Sequence, residues 1–152
     1  MGRFYKFSLK CETPKGDGLN WDLLEPLFYK DNNGLIWQIV QKSSTDGPSE
    51  PTIFDSVIQP TGPKWISGVF HDGLYRGYAV KWINGKWVRS IAEKAVYDSL
   101  LRESMESRGV SNVITDSFYI AVKDFADRAW VSDMAMAIPR IDMTSLPPPP
   151  EF

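Results

Sequence analysis

The sequence predicts an α+β protein, with a small N-terminal antiparallel sheet of hairpins, three helices after it, and an extended, proline-rich C-terminal tail. Three observations support this prediction. Apolar and polar side chains alternate near the N-terminus, Asn-Gly pairs separate strand-like runs, and the apolar spacing becomes helical after residue 65. We place a single domain at residues 1–131 and the C-terminal tail at residues 132–152.

The composition is that of a globular protein, with 43% hydrophobic and 24% charged residues. The net charge of −2 is unlike that of a polycationic nucleic-acid binder, so we expect no nucleic-acid partner. Apolar runs are short, and no transmembrane segment is predicted. Because Cys11 is the only cysteine, an internal disulfide framework is excluded and a reducing compartment is indicated.

Strand signals fall into three regions of the chain. Alternating apolar residues predict a first strand over residues 5–11. Two runs within residues 23–42 flank Asn33 and Gly34, which predicts a hairpin with these two residues as its turn. Residues 80–88 contain a second Asn-Gly pair and predict a smaller hairpin.

Helical spacing predicts three helices. The first covers residues 65–76. The second opens with a capping box formed by Ser90 and Glu93 and ends near Gly109. The third covers residues 112–130, after which the prolines of the tail exclude a regular element.

His71 is the only histidine, which excludes metal sites built from several histidines. Asp98 interrupts an apolar stripe of the second helix, and a carboxylate in that position is costly unless a partner pairs with it. His71, on the neighbouring helix, is a candidate partner, and the bond would leave its other ring nitrogen as a base. Tyr75, one helical turn after His71, and Tyr119 on the third helix are candidate donors to Asp98.

Asp72 follows His71 directly, and neighbours on a helix point about 100° apart. We therefore expect its carboxylate to face the preceding loop, where Asp46 and backbone carbonyls offer oxygen ligands suited to calcium. Asp72 has simpler alternatives, because it can cap a helix or pair with Lys64 or Arg76. Residues 45–48 also have the composition of an ordinary turn.

The central pair has structural alternatives as well. A single histidine on a helix is more often a satisfied core residue than a catalyst, and His71 can have that role. Asp98 can instead bond Tyr119 or Arg102. The sequence alone therefore leaves open whether the chain is an enzyme.

Four blocks of the sequence, in their order and spacing, resemble domain-of-unknown-function family 1353. The blocks are residues 45–51, 69–76, 97–110 and 119–123, and the resemblance covers roughly residues 35–127. Tyr97 departs from the family, which usually has alanine before the helical aspartate. The resemblance implies an origin in tailed phages or prophages, synthesis in the host cytoplasm and a place in the virion beside other virion or tail proteins.

The site is also similar, more distantly, to secreted-type phospholipases A2, through residues 71–75 and a later helical aspartate. That similarity implies that His71 activates a water molecule and that Asp98 orients His71. It further implies that Asp72 binds calcium and that Tyr75 supports Asp98. The disulfides and the glycine-rich calcium loop of those enzymes have little counterpart in this chain.

Two functions follow from these predictions. The first is a virion- or tail-associated structural protein in which the His-Asp site holds helix to helix and the tail, residues 132–152, is a strap that binds partner proteins. The alternative is a calcium-dependent hydrolase of phospholipid esters with His71 as the general base.

Overall fold

The computed structural model describes residues 1–6, 9–12, 21–41, 44–45, 63–90, 92–125 and 140–152. Within these ranges the chain forms two antiparallel sheets and three helices. The predicted α+β class is therefore confirmed. No helix among these residues is long and apolar enough to cross a membrane.

Eight strands are present in the described part of the chain. They are β1 (Arg3–Phe4), β2 (Cys11–Glu12), β3 (Trp21–Leu23), β4 (Leu27–Lys30), β5 (Ile36–Ile39), β6 (Ser44–Thr45), β7 (Ala79–Ile83) and β8 (Lys86–Arg89). The main sheet has the order β1-β4-β5-β7-β8, and the smaller sheet has the order β2-β3-β6. The two predicted hairpins are β4–β5 and β7–β8.

The turns of both hairpins use backbone conformations that favour glycine. Gly34 has a φ of 84° in the first turn. Asn84 and Gly85 have φ values of 50° and 77° in the second turn, as a two-residue turn with positive φ at both central positions requires. The Asn-Gly pairs therefore set the positions at which the chain reverses.

The predicted first strand over residues 5–11 is wrong in its extent. Phe4 pairs with Tyr29 in the main sheet, whereas Cys11 pairs with Leu23 in the smaller sheet. The chain passes from one sheet to the other between these positions, and residues 7–8 lie outside the described ranges. Alternation of apolar residues cannot show such a change of partner, because it persists on both sides of the crossing.

The helices are α1 (Pro63–Tyr75), α2 (Lys94–Ser107) and α3 (Asn112–Phe125). The predicted capping box is wrong, because Glu93 is the N-cap of α2 and makes no side-chain capping bond. Ser90 instead shares a 2.8 Å hydrogen bond with the Tyr97 hydroxyl. That hydroxyl also accepts from the backbone N–H of Ala92 at 3.3 Å, so Tyr97 fixes the approach to α2.

The core lies between the main sheet and the first two helices. Its members include Tyr29, Trp37, Ile39, Phe70, Leu74 and Tyr97. A second apolar cluster joins α2 to α3 through Leu101, Met105, Phe118 and Val122. This packing holds α1 and α2 side by side, which is the arrangement that the candidate site needs.

The described part of the C-terminal tail, residues 140–152, contains no helix or strand and lies on the outer face of the main sheet. The Trp87 indole N–H donates to the backbone oxygen of Pro147 at 2.7 Å. The Phe152 ring lies 5.8 Å from the Tyr5 ring. Partner binding by this segment remains a prediction.

Gly73 allows α1 to approach the sheet closely. A Cβ atom at this position would lie 2.6 Å from Cγ2 and 2.9 Å from Cδ1 of Ile39. Ile39 is only 1% exposed, so it has little freedom to move away. We expect Gly73→Ala to lower the free energy of unfolding by about 1–3 kcal/mol through overpacking, measured by urea denaturation.

The double variant Gly73→Ala/Ile39→Ala controls for the cause of this loss. It removes the side-chain atoms that the new methyl group meets, so its destabilisation should be smaller than the sum of the two single effects. If Gly73→Ala were as stable as the wild type or more stable, as expected for an alanine with free space in a helix, the close approach of α1 to the sheet would be contradicted.

Candidate functional site

The candidate site lies where α1 and α2 pack together. His71 and Tyr75 are four residues apart on α1, and Lys94 and Asp98 are four residues apart on α2. Residues at this spacing share one face of a helix, so each helix presents two polar side chains to the other. Asp98 is 2% exposed and His71 is 9% exposed, which places the site at the edge of the buried core.

The carboxylate of Asp98 is the centre of the site. Its Oδ1 lies 2.9 Å from Nε2 of His71 and also accepts a short hydrogen bond from the Tyr75 hydroxyl. Its Oδ2 accepts from Nζ of Lys94 at 2.7 Å. The structure therefore brings together the predicted His71, Asp98 and Tyr75, and adds Lys94.

Lys94 extends the network to the third helix. Its Nζ donates to the backbone oxygen of Val122 at 2.6 Å and to that of Lys123 at 3.3 Å. These carbonyls belong to the last turn of α3, where helical carbonyls lack partners within their own helix. Asp98 and Lys94 thus connect all three helices through one buried ion pair.

The Asp98 bond determines which nitrogen of His71 can act as a base. An ionised carboxylate can only accept hydrogen bonds, so Nε2 of His71 must carry the proton. In the neutral imidazole Nδ1 then has the lone pair and can receive a proton. The side chain keeps 11% of its surface accessible.

Burial and hydrogen bonding shift the two central groups. Burial lowers the pKa of His71 and outweighs the hydrogen bond and charge of Asp98, which act to raise it. Burial also acts to raise the pKa of Asp98, but the hydrogen bonds from His71, Lys94 and Tyr75 outweigh it, and the pKa is lowered overall. Near neutral pH the site therefore holds an ionised Asp98 beside an uncharged His71.

These shifts predict that acid destabilises the protein. A pKa that is lower in the folded state means that the unfolded state binds more protons, so stability falls as the pH falls. His71 contributes to this loss of stability as the pH drops below 6.5, the ordinary pKa of histidine. Asp98 contributes to it only below 3.8, the ordinary pKa of aspartate. We expect a lower urea midpoint at about pH 5 than at about pH 8.

The control for this prediction is His71→Gln, because the chain has no other histidine. The variant should lose less stability than the wild type over the same pH interval. An identical pH dependence in the two proteins would show that His71 is not held neutral by the fold.

Asp72 does not join this network. Its Oδ1 lies 3.0 Å from Nε of Arg76, and its side chain is 4% exposed. The structure thus shows the ion pair that the sequence offered as an alternative to calcium binding. Arg76 therefore already compensates the charge of this carboxylate.

The other half of the predicted calcium site, Asp46, lies outside the described residues. In the part of the chain that the structure describes, no group of three or more His, Cys, Asp or Glu side chains could hold a metal ion. The calcium site remains a prediction.

Tyr119 is placed away from Asp98. Its ring lies 5.2 Å from the guanidinium of Arg102, which is one helical turn further along α2. Arg102 also pairs with Asp116 at 2.9 Å, so this part of the α2–α3 contact is a separate surface cluster. Tyr119 is therefore not part of the assembled site.

Lys94 is the site residue that sequence analysis missed. The signal was its spacing, because Lys94 and Asp98 are four residues apart on a predicted helix and such pairs attract each other. The bonds to the carbonyls of α3 carry no comparable signal in the sequence.

Comparison with protein-family models identifies the family of this chain. A family model described as "Protein of unknown function (DUF1353)" matches residues 21–122. This range includes α1, α2 and the four side chains of the site, and it begins earlier than the predicted resemblance did. Neither a curated protein nor a solved structure matches the chain.

Proposed function

This chain belongs to the family described as "Protein of unknown function (DUF1353)", and we propose that it is a phage-encoded, virion- or tail-associated protein that hydrolyses a carboxylic ester at His71. The observation that supports this proposal is the 2.9 Å contact between Nε2 of His71 and the buried Asp98. A neutral imidazole oriented by a carboxylate can act as a general base.

In the proposed reaction, Nδ1 of His71 takes a proton from a water molecule as the water oxygen attacks the ester carbonyl. The tetrahedral intermediate then collapses, the acyl C–O bond breaks, and His71 returns the proton to the departing alkoxide. The products are a carboxylic acid and an alcohol. Asp98 stabilises the imidazolium that forms between these two steps.

The substrate class we propose is a phospholipid. Its support is the combination of His71, Asp98 and Tyr75, which is the part of the phospholipase A2 pattern that the structure brings together. In that pattern calcium stabilises the oxyanion. We assign no step to calcium here, because Asp72 is paired with Arg76.

A purely structural role is the second candidate, and the network itself favours it. Asp98 and Lys94 connect three helices, and His71 is largely buried. Buried, hydrogen-bonded polar groups of this kind can fix one arrangement of helices. In this case the His-Asp contact would hold α1 to α2 without any reaction.

Fatty acid release from mixed phospholipid vesicles tests the enzyme proposal. The wild-type protein should release fatty acid above background in the presence of calcium or of a chelator, and the ratio of the two rates measures any role of the metal. Background release from vesicles and from short-chain esters alike would contradict the hydrolase and leave the structural role.

The virion location is tested separately. Mass spectrometry of purified particles from the encoding phage should detect the chain in a fixed ratio to the tail proteins. Its presence only in the lysate, and never in purified particles, would contradict this part of the proposal.

A further inference from the structure

A cavity lies on the opposite side of the main sheet from His71. It has a volume of about 570 Å³ and lies between the outer face of the sheet and residues 140–147 of the tail. Val40 and Tyr78 line it from the sheet side, and Ile141, Leu146 and Pro147 line it from the tail side. Its size is within the range of small-molecule sites.

Gln38 is the polar group at the base of this cavity. It lies on the central strand β5, between Phe28 and Val80 of the neighbouring strands, and is 0% exposed. Neither Oε1 nor Nε2 of its amide has a hydrogen-bond partner among the residues that the structure describes. An amide buried without partners is unfavourable, and such groups in folded proteins call for an explanation.

The charge of the lining indicates a neutral ligand. Gln38 is uncharged, and the two charged residues of the lining, Arg140 and Asp142, are both exposed at the tail side. The Asp142 carboxylate already accepts hydrogen bonds from the backbone N–H and the hydroxyl of Thr144. A charged ligand would therefore find no buried countercharge beside Gln38.

We propose that this cavity binds a small neutral ligand that carries a carboxamide or lactam group on an apolar body. Because both amide atoms are buried in the structure, the Gln38 side chain must turn into the cavity when the ligand binds. The ligand carbonyl then accepts from Nε2 and the ligand N–H donates to Oε1, since a glutamine amide offers a donor and an acceptor side by side in one plane. The apolar side chains of the lining contact the rest of the ligand. This site is independent of the proposed hydrolase.

The test uses three probes and the side-chain NH₂ resonances of Gln38 in ¹H–¹⁵N spectra. Isovaleramide is an open amide, uracil is a lactam, and 4-methyl-2-pentanone has the shape of isovaleramide but lacks the N–H donor. We expect isovaleramide or uracil, or both, to shift the Gln38 resonances, and which of them does so identifies the source of the amide group. The ketone should bind about tenfold more weakly than isovaleramide, as expected for the loss of one hydrogen bond.

Two variants test the assignment to Gln38 and to the cavity. Gln38→Leu should weaken binding of the amide probe more than binding of the ketone, because the amide loses two hydrogen bonds and the ketone loses only the one from Nε2 to its carbonyl. Binding to the variants is followed through the backbone amide resonances of the lining residues. Ile141→Trp should fill the cavity with a larger side chain. Because Ile141 belongs to the tail, this change leaves the core of the sheet undisturbed. The proposal is overturned if none of the probes, each added up to its solubility limit, shifts the Gln38 resonances. The occupant of the cavity would then be water. It is equally overturned if both variants bind the amide as the wild type does.

Discussion

His71→Ala is expected to lower the rate of ester hydrolysis by about 10²–10⁴-fold, the range that a positioned general base contributes. The variant removes the imidazole whose Nε2 is held by Asp98 and whose Nδ1 would accept the proton of the attacking water. The measurement is the initial rate of fatty acid release from vesicles, with folding checked by circular dichroism.

Tyr75→Phe is the matched control for this prediction. It removes one hydrogen bond to Asp98 from the same helix but leaves the imidazole in place. We expect its loss of rate to be much smaller than that of His71→Ala, about tenfold or less. If His71→Ala kept the wild-type rate, the hydrolysis would come from another part of the chain and the proposed base would be wrong.

Asp98→Ala is expected to cause the largest loss of stability, about 3–5 kcal/mol in the free energy of unfolding at neutral pH. The change leaves the Lys94 ammonium and the Tyr75 hydroxyl without the carboxylate that they bond in the folded protein. Lys94 is only 15% exposed, so water compensates its charge poorly. Urea denaturation at about pH 7 measures the effect.

Two controls separate the charge effect from a general effect of substitution. Glu106→Ala removes an acid on the same helix that pairs with Arg102 at the surface, and it should cost about 1 kcal/mol or less. Adding Lys94→Met to Asp98→Ala should recover part of the stability, because it removes the largely buried ammonium that has lost the Asp98 carboxylate. A loss in Asp98→Ala no greater than in Glu106→Ala would show that the network is not a stabilising element.

The pairing of His71 with Asp98 could be predicted because helical spacing fixes the face on which a residue lies. An acid within an apolar stripe must find a partner in the core, and a histidine on the preceding helix was an available one. The contact at 2.9 Å follows that logic. The same logic predicted Tyr75, which is one turn from His71 on the same face.

The remaining features depend on how elements are arranged in space, which spacing along the chain does not determine. Tyr119 was predicted near Asp98, but the position of α3 brings its ring to Arg102 instead. The change of sheet between Phe4 and Cys11 also depends on partners far along the chain, namely Tyr29 and Leu23. Helix crossing and strand pairing are set by the whole core rather than by local periodicity.

The most direct test of the site is the ¹⁵N spectrum of His71 in protein labelled at histidine. The chain has one histidine, so the spectrum contains a single imidazole. We predict a proton on Nε2, a lone pair on Nδ1 at neutral pH, and a pKa below the ordinary 6.5 that changes in Asp98→Asn. A proton on Nδ1, or an imidazole that titrates at its ordinary value and does not respond to Asp98→Asn, would contradict the account.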